Sequence, residues 1–322
     1  MTERFIPSPS VDSYTRPMDI EIPLIDSDNN TNNLTKPTYS KTVGRLKSNN
    51  INSASDSQVK AQKEKDVSLL DKLFPLSQLK HVEFYQALFS EYIGTFILVL
   101  VATSAGLPIA SAHVPDLNGA LASGLIVATI IVCFGHISGA HINPAITVTF
   151  VVANEIDLYR ALAYIGMQLL GATSASALLR SITPEHARGN LGMTIINKDI
   201  TLTQAFIVEF LITFVLCYTV LAICDRQRDD IGGSKALAAG FAVTVGCLFG
   251  GPFTGAAMNP ARAFAPAAIM DSWENHWIYW FGPLTGSIVA ALMYTRVLQR
   301  TATSAALNKS CLNLNIDREN YI

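Results

Sequence analysis

The chain has 322 residues, of which half are hydrophobic and only 15% charged, with a formal net charge of −2. A soluble domain carries about a quarter charged residues, so the balance points to lipid, and the slightly acidic total excludes a nucleic-acid partner and a strongly basic membrane-surface role. The cysteines stand singly at Cys133, Cys217, Cys224, Cys247 and Cys311. No CxxC pair occurs, which argues against a disulfide framework or a zinc site, and no metal or other cofactor is expected.

Residues 1–80 are polar, rich in Ser, Asn, Thr, Asp and Lys, and contain no apolar run. Such a segment buries too little apolar surface to offset its ordering entropy, so a disordered N-terminal tail is expected. With no cleavable signal, the first span is expected to act as its own insertion signal. From Phe84 the character changes. Six apolar stretches follow, near 87–108, 118–135, 158–179, 204–224, 236–251 and 277–297. Each approaches the roughly 20 residues a helix needs to cross a bilayer core. The fifth reads as the weakest, and its Gly and Ala content suits a helix packed among helices rather than facing lipid. Residues 299–322 are polar again and are expected to extend into water. Cys133, Cys217 and Cys224 are expected to be small core residues.

Orientation follows from Lys and Arg near the span ends. The flank before the first span carries Lys60, Lys63, Lys65, Lys72 and Lys80, the loop after the fourth carries Arg226, Arg228 and Lys235, and the last flank carries Arg296 and Arg300. The loop after the first span has neither residue type, whereas Arg188 and Lys198 between the third and fourth spans oppose the trend. Six spans place both termini on one side, expected to be cytoplasmic.

The chain repeats itself. Glu91 in Ser90-Glu91-Tyr92-Ile93-Gly94-Thr95-Phe96 matches Glu209 in Val208-Glu209-Phe210-Leu211-Ile212-Thr213-Phe214. The segment Ser138-Gly139-Ala140-His141-Ile142-Asn143-Pro144-Ala145 matches Thr254-Gly255-Ala256-Ala257-Met258-Asn259-Pro260-Ala261. The two halves, about 87–180 and 204–297, each hold three spans. Three is odd, so the second half is inverted in the membrane, and inverted repeats place a functional site near the midplane.

In each Asn-Pro-Ala the Asn suits an N-cap and the Pro the first helical position. The apolar run after each motif is short enough for about 15 Å of helix, half a bilayer. Asn143, Pro144 and Ala145 therefore start one half-helix, and Asn259, Pro260 and Ala261 another, with the two starts meeting at the midplane. Non-helical backbone at that depth is tolerated where it lines a watery path or is buried in protein. Two positive helix ends repel cations, protons included, while the Asn amides can donate to passing oxygens. The pattern predicts conduction of neutral hydrogen-bonding molecules and rejection of ions. Arg262 lies deep in an apolar segment, where an ionisable residue is functional by default. Glu91 and Glu209 either relay protons or accept hydrogen bonds from the irregular loops, and their duplication favours the second role. No nucleophile with a base appears in the spans, so no enzyme is expected.

On Gly135 through Ala145 and Thr254-Gly255 through Arg262, residues 84–298 resemble the aquaporin, or major intrinsic protein, family. The resemblance implies an all-α membrane fold of six spans plus two half-helices in an inverted 3+3 repeat, assembled as a homotetramer with one pore per subunit. Selectivity in such pores comes from diameter, hydrogen-bonding lining and half-helix dipoles. The family's outer constriction, counted from the motif asparagines, falls on Ser123, Cys247, Ala256 and Arg262. Strict water channels usually have Phe and His where Ser123 and Cys247 stand. The ring is therefore wider and implies passage of glycerol and urea as well as water. In this the chain is similar to insect aquaporins that have lost the filter histidine and carry glycerol. Ala263 and Tyr279-Trp280 instead resemble the water-channel branch. A strictly water-selective pore, or a poorly conducting junctional or signalling member, is the alternative. The expected partners are water, small neutral solutes and the cell-membrane bilayer.

Overall fold

A computed structural model describes residues 76–107, 116–228 and 230–298. Eight α-helices stand among them. They are α1 (Val82–Ser104), α2 (Asp116–Ser138), α3 (Pro144–Val152), α4 (Leu158–Ile182), α5 (Leu202–Cys224), α6 (Lys235–Thr254), α7 (Pro260–Met270) and α8 (Ile278–Leu292). The last continues as a π-helical segment, Met293–Leu298. Six of the eight, all but α3 and α7, are long and apolar enough to span a membrane. This is an integral multi-pass membrane protein with six spans and two half-helices in an inverted repeat. The expected tail at 299–322 and residues 1–75 of the other lie outside the described residues.

Local chemistry sets the ends. Thr201 and Gln204 form a reciprocal capping box at the start of α5, satisfying two otherwise orphaned donors. The Asp157 side chain accepts from the Arg160 amide at 2.8 Å and starts α4. α1 begins at Val82, earlier than hydropathy indicates, because Glu83 and Gln86 dilute a first turn whose Phe84 is buried and stacks on Tyr159. It ends at Ser104, since Gly106 and Pro108 follow and disfavour helix. The N-terminal tail boundary also moves from residue 80. Leu76–Lys80 form a 3-10 turn, pinned where Gln78 donates to Asp157 at 2.7 Å and accepts from the Arg160 Nε at 3.1 Å.

Within the first half α1 packs on α2 and α4; within the second, α5 packs on α6 and α8. The halves join along α2 and α6, and each half-helix crosses over: α3 lies against α8, and α7 against α4. Close approach depends on glycine at matched positions. A Cβ on Gly171 would strike the Tyr92 carbonyl, and one on Gly286 the Phe210 carbonyl.

Two expectations are corrected. α6 is not the weakest span: its mean hydropathy is 1.7, above the last span at 1.2, and only 33% of its window is buried. Its small residues form one face, where Gly240 meets Gly124 of α2, while Phe241, Val245 and Phe249 point outward. Of the cysteines, Cys217 is buried, but Cys133 and Cys224 are exposed, because each sits on the outer or cavity face of its helix.

Replacing Gly171 or Gly286 with Val is expected to lower thermal stability in detergent, at a cost of about 1–3 kcal/mol or more for overpacking. Gly166→Val on the same α4, where an added Cβ meets nothing within 4 Å, is expected to melt close to the native protein. A thermal melt of the three variants checks this.

Candidate functional site

Between α2 and α3, and again between α6 and α7, the chain leaves helical geometry at the centre of the bundle. Ala140 and Ile142 take φ of 47° each, and Ala256 and Met258 φ of 50° each. Left-handed backbone at a non-glycine residue costs of order 1–3 kcal/mol, and the surrounding structure must enforce it.

Glu91 and Glu209, both fully buried, do the enforcing. Glu91 accepts from the His141 amide at 2.9 Å, the Ile142 amide at 2.7 Å, the Ser138 hydroxyl at 2.7 Å and the Gln168 amide at 2.8 Å. Glu209 accepts from the Ala257 amide at 2.9 Å, the Met258 amide at 3.0 Å and the Thr254 hydroxyl at 2.6 Å. Donors occupy both oxygens of each carboxylate, an arrangement suited to an ionised acceptor. In a trans peptide the N–H and C=O point in opposite directions. With the N–H groups turned to Glu91, the Ala140 and His141 carbonyls turn away from it, on a loop that lines the central cavity. The Ala256 and Ala257 carbonyls stand likewise in the second half. Tyr164 and Tyr279, one per half, donate to the carbonyls of Ser138 at 3.0 Å and Thr254 at 2.9 Å, tying off the end of each preceding helix.

The loops deliver the chain to the half-helices. Asn143 caps α3 by accepting from the Ala145 amide at 2.8 Å, and Asn259 caps α7 by accepting from the amides of Ala261 at 3.0 Å and Arg262 at 3.3 Å. Pro144 and Pro260 occupy the first helical positions. The two starts meet. Asn143 Nδ2 donates to the Met258 carbonyl and Asn259 Nδ2 to the Ile142 carbonyl, both at 2.9 Å. Each amide therefore spends one of its two N–H groups across the repeat interface and keeps one, because an amide nitrogen carries two donors. Both asparagines line the cavity.

Ser123, Cys247, Ala256 and Arg262 line the same cavity and also its wider vestibule. Ser123 and Cys247 come from α2 and α6, which pack against each other. Arg262, half-buried near the start of α7, donates from one guanidinium nitrogen to the Gly192 carbonyl at 2.8 Å. Gly192 has φ of 69° and lies so close to Thr103 that a Cβ would come within 2.7 Å of its carbonyl. The loop 183–201 thus orients the guanidinium, and it is itself anchored where Asn197 donates to the Phe253 carbonyl at 2.8 Å and the Pro252 carbonyl at 3.1 Å.

A family model described as "Major intrinsic protein" matches residues 78–294. The chain belongs to the major intrinsic protein family. Aquaporin-4 of Homo sapiens is 43% identical over 218 residues, 66% of this chain and 68% of that protein. The lens fiber major intrinsic protein of Oryctolagus cuniculus is 44% identical over 223 residues, 69% of this chain and 84% of that protein. The X-ray structure of the aquaglyceroporin from Plasmodium falciparum, 24% identical, shares the fold with a TM-score of 0.59 over 70% of this chain and 99% of that chain. The family is one of channels, not enzymes.

Sequence reasoning missed the supports. Gln168 and Tyr164 carried no local signal, and Tyr279 was read only as a mark of the water-channel branch. Gly192 was available as a glycine in a long loop, and Ser138 and Thr254 as matched hydroxyls in the repeat. Lys235, read only as an orientation marker, lines the cavity.

Asn143→Leu is expected to remove a cap worth about 1 kcal/mol and to leave the Met258 carbonyl buried without its donor, a further 1–3 kcal/mol or so. Asn259→Leu is expected to cost as much through the Ile142 carbonyl. Because both bonds bridge the same two loops, the double variant is expected to be destabilised by less than the sum. A double-mutant cycle of detergent melts measures the coupling.

Proposed function

We propose that this aquaporin-family channel passively conducts water and small uncharged polar solutes, glycerol and urea among them, while excluding ions and protons. The observation that carries this reading is the ring of Ser123, Cys247, Ala256 and Arg262 around one cavity. Three of its members are small, and the fourth is a fixed guanidinium. A planar fork of N–H donors suits a urea carbonyl or successive hydroxyls of a polyol. The small members leave room for a carbon backbone that a bulkier ring would reject.

Exclusion of ions rests on charge placement. The N-termini of α3 and α7 converge on the pore centre, each carrying the equivalent of about half a positive charge. Arg262 adds a full charge at the ring. A cation entering this path sheds water and meets positive potential, whereas a neutral solute exchanges water for the asparagine donors and loop carbonyls. The Lys and Arg distribution supports cytoplasmic termini, and family membership supports a homotetramer with a separate pore in each subunit.

The test is uptake of water and glycerol by the same reconstituted vesicles. The native channel is expected to raise both above protein-free membranes. Ser123→Phe with Cys247→His is expected to keep water flux and bring glycerol uptake close to background, compared at equal protein content. A native protein that passes water and no glycerol or urea is a strict water channel with an unusual ring. One that passes neither overturns the proposal.

A further inference from the structure

Among the described side chains that line the central cavity only two carry a full charge, Arg262 and Lys235, and both are positive. No Asp or Glu among the described residues lines it. Lys235 is the first residue of α6, after the Ser234 cap. It is exposed and makes no ion pair among the described residues. On α6 it lies twelve residues before Cys247, hence about 18 Å along the axis from the Arg262 ring at 1.5 Å per residue. Ile223 and Cys224, from the end of α5, line the cavity at that same end.

Described acids near this end have other partners, and Asp230 accepts from Arg228 at 2.8 Å. Glu155, after α3, stands 3.9 Å from Arg226. Asp225 accepts from the Tyr294 hydroxyl at 2.8 Å. Neither lines the cavity. An exposed ammonium group at the rim of the cavity raises the potential along the water path at that mouth. The exposed N-terminus of α6 adds its own partial positive charge at the same place.

We infer that Lys235 is a specificity-determining residue, an electrostatic collar that depletes cations at the mouth opposite the Arg262 ring, so that the pore carries a cation barrier at each end. The inference rests on the reading of the cavity as a conducting pore. The two barriers differ physically. Arg262 is half-buried and hydrogen-bonded to Gly192, so salt screens it little. Lys235 is exposed, so its barrier weakens as the Debye length shrinks from about 30 Å at 0.01 M salt to about 3 Å at 1 M. Removing a unit charge that acts through a water-like dielectric changes local cation concentration about twofold, and reversing its sign about fivefold.

The experiment uses the full chain in vesicles with a trapped pH dye, and osmotic water flux is recorded on the same preparation. Arg262→Val provides a background without the opposite ring's charge, in which the half-helix ends and Lys235 remain. Adding Lys235→Glu is expected to raise the leak per unit water flux about fivefold at 0.01 M salt, Lys235→Gln about twofold, and Lys235→Arg not at all. At 1 M salt the four preparations are expected to converge. A leak unaltered by Lys235→Glu at low salt, with water flux intact, overturns the collar and leaves the pore reading standing. So does an increase that persists at 1 M salt, since a structural defect does not follow the Debye length. Absence of water flux in the native protein instead overturns the pore reading on which the collar rests.

Discussion

Backbone that leaves helical geometry inside a bilayer has no water to satisfy it, and each orphaned N–H or C=O costs several kcal/mol. Two buried carboxylates resolve that constraint here. Glu91 and Glu209 gather the amides of the two irregular loops, and the left-handed residues Ala140, Ile142, Ala256 and Met258 follow from that gathering. Once the amides face the carboxylates, the carbonyls of the same peptides turn away from them, and the chain arrives at Asn143 and Asn259 in extended geometry. The pore centre is thus a consequence of where two glutamates sit on α1 and α5.

The repeat is faithful in its scaffold and broken where the path is tuned. Both halves use a carboxylate, a hydroxyl beside it, a tyrosine on the preceding carbonyl and a glycine at the helix crossing. Only the first half adds Gln168, which joins Glu91 to Thr147 at 2.8 and 2.9 Å. Only the second places an arginine after the motif. The charged side chains of the lining, Arg262 and Lys235, have no counterpart at the matched positions of the first half.

Much of this was legible in the sequence. Span number, the inverted repeat and both half-helices follow from apolar run length and from Asn-Pro-Ala, because a cap and a first-turn proline report local backbone directly. The glutamates were legible because their duplication ties them to the duplicated loops. What stayed hidden depends on tertiary placement. The support of Arg262 by Gly192 spans 70 residues, and nothing in a loop glycine announces which side chain its carbonyl meets. Lys235 reads as an ordinary flanking cation until α6 is packed against α2. The exposure of Cys133 and Cys224 turns on helix rotation, which a uniformly apolar span does not reveal, since amphipathic contrast is what marks a buried face.

The claim that carboxylates build the pore is tested most directly by water permeability per inserted channel in Glu91→Gln and Glu209→Gln. Glutamine keeps the shape but brings its own N–H groups against loop donors, replacing charge-assisted bonds worth about 1.5–3 kcal/mol each. Both variants are expected to melt lower in detergent and to lose most of their water flux while still inserting. Variants that melt and conduct like the native channel would contradict the account, since the loops would then be held by something other than Glu91 and Glu209.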